Sequence, residues 1–178
     1  MIERDFKETQ MHLEERKAVV EKFLETEVRK LLMVPMDFDK RVSFLGDYID
    51  FLFIHDGKTE YKHAGRVWSL YTAESLLGEA QFDSIVNPLC RLLRSYKESL
   101  ADIFVNNNTV DAKGKPFSLL NLHNALGIGE AGGDILFLHV ERKTISVWCF
   151  HHEGGDVKKL ATSFSAWLKK SNHSDKAY

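Results

Sequence analysis

Two stretches of the sequence gather residue types that do chemistry. From Cys149 to Glu153 the chain reads CFHHE, placing a thiol, two imidazoles (His151 and His152) and a carboxylate close together. Thiolate, imidazole and carboxylate are the donors that hold zinc, and imidazole beside carboxylate is also the pairing used for general acid and base work. Just upstream, GIGEAGGDILFLHV fits G-x-G-x-x-G at Gly127, Gly129 and Gly132. In a dinucleotide-binding loop such glycines lead from a strand into a helix whose N-terminal N–H groups meet a pyrophosphate.

The elements that would have to position these groups argue against both uses. SLLNLHNAL precedes Gly127 as a mixed run, and Ile135 to Val140 follows as a compact apolar block of strand character. No helix start is on offer for a phosphate. Gly132 and Gly133 are read instead as a place where positive φ or close backbone approach brings the chain into a buried strand. Adjacent residues on a strand point to opposite faces, so His151 and His152 cannot share one ion without a bulge. There is no H-E-x-x-H and no paired C-x-x-C. The expectation is no cofactor, no metal, and a strand-end histidine pair with ordinary solvent contacts. No G-x-S-x-G elbow is present either, and Cys90 in PLCRLL belongs to an inward helix face. The acids Asp37, Asp39, Asp47, Asp50 and Asp56 read as surface charge, or as an acidic patch able to meet a basic active-site surface, diluted by Lys40 and Arg41.

At 178 residues, with 44% hydrophobic and 11% aromatic residues, the chain suits one globular domain, 1–178. Its 24 Lys and Arg nearly balance 26 Asp and Glu, for a net charge of -2. A dedicated nucleic-acid binder would carry a basic excess, so no nucleic-acid partner is expected. The start MIERDFKETQMHLEERK lacks the apolar core of a signal peptide, and no run is long and apolar enough for a bilayer. Cytoplasmic residence, no membrane, and thiols in place of a disulfide are the corresponding expectations.

Leu13, Val20, Phe23, Leu24, Val28 and Leu31 recur at helical spacing, giving a long amphipathic helix that ends by Pro35. Residues 36–54 are ambiguous, because Phe51 and Phe53 alternate with Leu52 and Ile54 without a polar face, and the block fits a buried strand or a short helix. Gly65 to Tyr71 alternates as a strand with Trp68 and Leu70 on one face, and Thr72 caps a short helix through Leu77. Asn87-Pro88 starts a helix that runs to Phe104, and 109–133 is expected to be an irregular connection. Ile135–Val140 and Thr144–His151 form the best hairpin, apolar on both faces and so expected at the centre of a covered sheet. Val157, Leu160, Ala161, Phe164, Trp167 and Leu168 predict a final helix, followed by a polar tail over 171–178.

The C-terminal half resembles the SUKH superfamily, bacterial immunity proteins that share a fold with a yeast cell-wall synthesis regulator. The similarity rests on GIGEAGGDILFLHV, on TISVWCFHHEGG, and on VKKLATSFSAWL with Ala161, Ser163, Phe164, Trp167 and Leu168. GRVWSLYTAESL is similar to the family's short strand leading into a helix. The family's N-terminal signature, a Leu-Pro followed by an aromatic and a short apolar helix before an Asn-Gly-Gly, is absent, and Val34-Pro35 and DYIDFLFIHDG are a distorted version of it. The resemblance implies an α+β domain with a mainly antiparallel central sheet flanked by helices, in which Gly132 and Gly133 make a bend and Asp134 accepts backbone hydrogen bonds that fix it. It implies a non-enzymatic protein that binds and neutralises a cognate protein toxin, a nuclease or similar, as a monomer or homodimer. Asp47, Asp50, Asp56 and Trp68 are the candidate partner-binding residues. A hydrolytic enzyme using His151, His152 and nearby carboxylates, and a regulatory scaffold in cell-wall signalling, are the alternatives.

Overall fold

A computed structural model describes residues 14–23, 38–55, 60–77, 108–110, 116–118, 125–141, 144–153 and 156–173. The predicted helix over 88–104, the outer parts of the N-terminal helix and the last residues of the tail lie outside these ranges.

The architecture is α+β. Seven strands form one sheet in the order β8-β7-β6-β5-β2-β1-β9. In chain order they are β1 (Glu60–His63), β2 (Arg66–Leu70), β5 (Leu126–Ala131), β6 (Asp134–Glu141), β7 (Thr144–Phe150), β8 (Val157–Ala161) and β9 (Asn172–His173). Every neighbouring pair is antiparallel. A separate pair joins β3 (Asn108–Val110) to β4 (Pro116–Ser118). The irregular connection expected over 109–133 therefore holds three strands. β5 escaped notice because Gly127 and Gly129 dilute its apolar pattern.

Four helices lie among the described residues: α1 over 14–23, α2 (Phe38–Ile54), α3 (Ala73–Leu77) and α4 (Phe164–Lys170). None is long and apolar enough to cross a membrane. The ambiguous run before Ile54 resolves as helix because Leu45, Tyr48, Ile49 and Leu52 recur every three or four residues, and all are buried. Arg16 of α1 donates from Nη1 to the Phe53 and Ile54 carbonyls, both at 3.3 Å, so a cation meets the open carbonyl end of α2. Thr72 caps α3 as expected, its Oγ1 accepting the Ser75 N–H at 2.9 Å.

The predicted C-terminal helix is corrected to a strand followed by a shorter helix. Val157–Ala161 pairs with β7, and the helix starts only after Ser163, whose side chain accepts the Ala166 N–H at 3.1 Å. The 3,4 spacing from Val157 to Phe164 spans two elements by coincidence. Trp167 and Phe164 are the buried residues of α4, with Phe164 5.2 Å from Phe51 and 5.0 Å from Tyr48, ring to ring.

Both faces of the sheet are covered, as the apolar hairpin predicts. Ile145, Val147 and Cys149 of β7 point into the larger core under α2 and α4. Trp148 and Phe150 point the other way, into a smaller cluster with Phe137 and Val157 that Phe117 of β4 covers, 5.0 Å from the Trp148 ring. The β6–β7 register runs unbroken from Ile135↔Phe150 to Glu141↔Thr144.

Among the titratable groups packed into this frame is a histidine of β1. His63 of β1 is 9% exposed, 5.5 Å from the Trp167 ring, with Nδ1 3.0 Å from Ser171 Oγ. Burial first, and then the Lys170 charge, lower its pKa below the ordinary 6.5. The unfolded chain takes up that proton more readily, so the contribution of His63 is complete above 6.5 and is lost as pH falls below it. Urea unfolding across pH should show this loss on the acid side, and a His63→Asn variant should show a flatter slope there.

Candidate functional site

The turn between β5 and β6 is the two-residue loop Gly132-Gly133, closing the pair Ala131↔Asp134. Its φ values of 58° and 92° are those of a type I′ turn, which suits the right-handed twist of the hairpin and is closed to most side chains. A strand, not a helix, follows Gly133. The phosphate-loop reading is excluded, because a strand stands where that loop needs a helix start, and Gly127 and Gly129 lie within β5 itself.

This turn places Asp134, 4% exposed, at the first position of β6. Its carboxylate is the centre of a clasp. Oδ1 accepts the backbone N–H of His152 at 3.0 Å and lies 2.8 Å from His152 Nδ1. Oδ2 lies 2.9 Å from His151 Nδ1 and pairs with the Arg66 guanidinium of β2. A carboxylate only accepts, so the network puts a hydrogen on Nδ1 of both rings. The four partners come from β2, from the end of β7 and from the turn after it. Asp134 thus ties the start of β6 to the end of β7 on one side and, across β5, to β2 on the other.

The expectation that His151 and His152 diverge with ordinary solvent contacts is corrected here. β7 ends at Phe150, and His152 and Glu153 already belong to a turn that His151 holds by donating its N–H to Asp156 O at 2.9 Å. Strand alternation therefore stops one residue too early to separate the rings. The His152 ring rests on Gly133, where a Cβ would come within 3.0 Å of it. Asp134 does accept a backbone hydrogen bond, as the resemblance implied, but most of its capacity goes to side chains.

The SMI1/KNR4 family (SUKH-1) matches the chain over residues 40–170. The chain belongs to this family. The matched span takes in β1 through β8, α3, α4 and nearly all of α2, so the clasp stands inside the SUKH-1 fold and is no appendage to it. No curated protein and no solved structure matches the chain.

In this SUKH-1 chain the clasp forms one wall of an open cleft of about 620 Å³, lined also by Val67, Ala131, Glu153 and Asp156. Burial lowers the His151 pKa, against the pull of Asp156, so that ring is held neutral at pH 7. Beneath it Cys149 Sγ lies 3.7 Å from His151 Nδ1. Burial pushes the Cys149 thiol up to about 12, which keeps it protonated and poorly nucleophilic. The buried free thiol expected at Cys149 is observed; Cys90 lies outside the described residues.

The sequence-predicted partner residues fall elsewhere. Asp47 and Asp50 are exposed on α2 and do not line the cleft, and Asp56 lies outside the described residues. Trp68 is 2% exposed and packs in the larger core, so its indole cannot meet a partner. The clasp itself was missed as a unit. Arg66 gave no signal, because nothing in a lone strand arginine tells which carboxylate lies across two strands.

Proposed function

We propose that the protein acts by binding, and neutralises a cognate protein toxin, a nuclease or similar, without catalysing a reaction. The observation that carries this reading is the SUKH-1 match across the sheet and its helices, since the SUKH resemblance implies immunity proteins. The chemistry of the clasp agrees with it. Asp134 spends its lone pairs on Arg66, on two imidazoles and on a backbone N–H, which is how a carboxylate is used to fix a surface. Steric and electrostatic occlusion across an interface of ordinary size is sufficient for such an activity.

The test is to look for a secreted toxin gene immediately upstream of this one and to co-express its product with this chain. Growth should be restored, and the two chains should copurify; neither rescue nor a complex would end the reading. The exposed acids of α2 are the proposed steering charges toward a basic toxin surface. An Asp47→Lys, Asp50→Lys double variant should fold normally and slow association about 10-fold at low salt, with the difference shrinking as salt is added. Association kinetics by surface plasmon resonance at two salt concentrations would read this directly.

A further inference from the structure

We propose that the clasp is also a zinc site, in which Asp134, Cys149 and His151 take one Zn²⁺ while Arg66 competes with the ion for the same carboxylate. One donor atom from each of the three residues lies within 4.8 Å of the others. Zn–S and Zn–N bonds of about 2.3 and 2.0 Å, set at a tetrahedral angle, put sulfur and nitrogen about 3.5 Å apart. Cys149 Sγ and His151 Nδ1 already stand at 3.7 Å. Asp134 Oδ2, 2.9 Å from His151 Nδ1, needs only a small outward movement to complete the third bond. Sulfur, imidazole nitrogen and carboxylate oxygen together are a set that borderline-soft Zn²⁺ accepts and that Mg²⁺ and Ca²⁺ do not. Nδ1 of His152, 2.8 Å from the other carboxylate oxygen, supports the ligating carboxylate from outside the donor set.

Binding balances as an exchange of cations. The Cys149 thiol gives its proton to solvent, and the hydrogen of His151 moves from Nδ1 to Nε2, so one proton is released for each ion bound. Thiolate and carboxylate then neutralise the two charges of zinc. The guanidinium that neutralises Asp134 without metal becomes redundant, and Arg66, whose side chain is 45% exposed, swings out into the cleft. This inference stands whether or not the protein binds a toxin.

The experiment uses the full chain without a histidine tag, freed of metal by a chelator and titrated with Co²⁺ and then Zn²⁺. Wild type should develop a thiolate-to-cobalt charge-transfer band in the near ultraviolet at one equivalent, and zinc should bleach it. Cys149→Ser should lose the band, and His152→Ala should weaken uptake by about 10- to 100-fold. Arg66→Gln should bind several-fold more tightly, the opposite of what loss of a merely structural pair would do. In case Cys149→Ser folds poorly, a zinc-dependent rise in Tm that is present in wild type and absent in His151→Gln gives a second reading. No band in wild type, an equal band in Cys149→Ser, or unchanged affinity in Arg66→Gln would overturn the proposal.

Discussion

Asp134→Ala should cost about 3 kcal/mol of unfolding free energy, because breaking a buried charge pair leaves its partners without compensation. Four groups lose their acceptor at once: Arg66, the Nδ1–H groups of His151 and His152, and the His152 backbone N–H. The three side chains are 25–45% exposed and recover water, which sets the cost below that of a fully buried network. The backbone N–H, fixed in its turn, recovers least. For a chain of this length each kcal/mol moves Tm by about 2–4 °C, so a fall of roughly 6–12 °C is expected. Asp134→Asn keeps the volume and one acceptor for the backbone N–H, and should fall between wild type and alanine. Urea unfolding with an unchanged slope would read both variants. A midpoint for Asp134→Ala equal to wild type would mean that the clasp holds nothing together.

Where sequence and structure agree, one physical pattern was sufficient. The alternation in β2 put Trp68 and Leu70 on the inner face, and the doubly apolar β7 required cover on both sides, which α2 and Phe117 supply. Where they differ, two patterns competed. Val157 to Phe164 has helical spacing, but β7 needed an edge partner and Ser163 offered a cap two residues after the strand ends. In residues 36–54 the Phe51–Ile54 block shows no polar face, and the buried recurrence of Leu45, Tyr48, Ile49 and Leu52, with Tyr48 and Phe51 against Phe164, decides for helix. The site was legible in parts. The bend at Gly132 and Gly133 and a turn-fixing Asp134 followed from the resemblance that the Gly-Gly-Asp sequence carries, whereas convergence of the histidines depended on β7 stopping at Phe150 and not at His151.

Gly129→Ala is expected to be more damaging still, though the residue is neither charged nor in a turn. Gly129 belongs to β5, opposite Leu70 of β2, at the seam where the β5–β8 half of the sheet meets the β2–β1–β9 half. The seam is short: its paired residues are Ser69↔Glu130 and Leu70↔Gly129, extended by the Tyr71 N–H to Ile128 O bond of 2.9 Å. A Cβ on Gly129 would stand 2.7 Å from the Ser69 carbonyl oxygen and 3.2 Å from Leu70 Cα. Both are backbone atoms, which cannot rotate aside as a side chain would. Relief requires β2 to move away from β5, lengthening the seam's hydrogen bonds and opening the core around Leu70 and Ile128, which are 3% and 0% exposed. Overpacking of this kind costs about 1–3 kcal/mol even where side chains can yield, and here the hydrogen bonds of the seam are lost in addition. A loss of about 3–5 kcal/mol, or failure to accumulate as folded protein, is the expected result. Hydrogen exchange gives the sharper test, since protection should fall first at Tyr71 and across β1 and β2, while β6 and β7 keep theirs. Uniform loss across all strands would instead mean that the two halves of the sheet stand or fall together, and that the seam is not the weak line this geometry makes it.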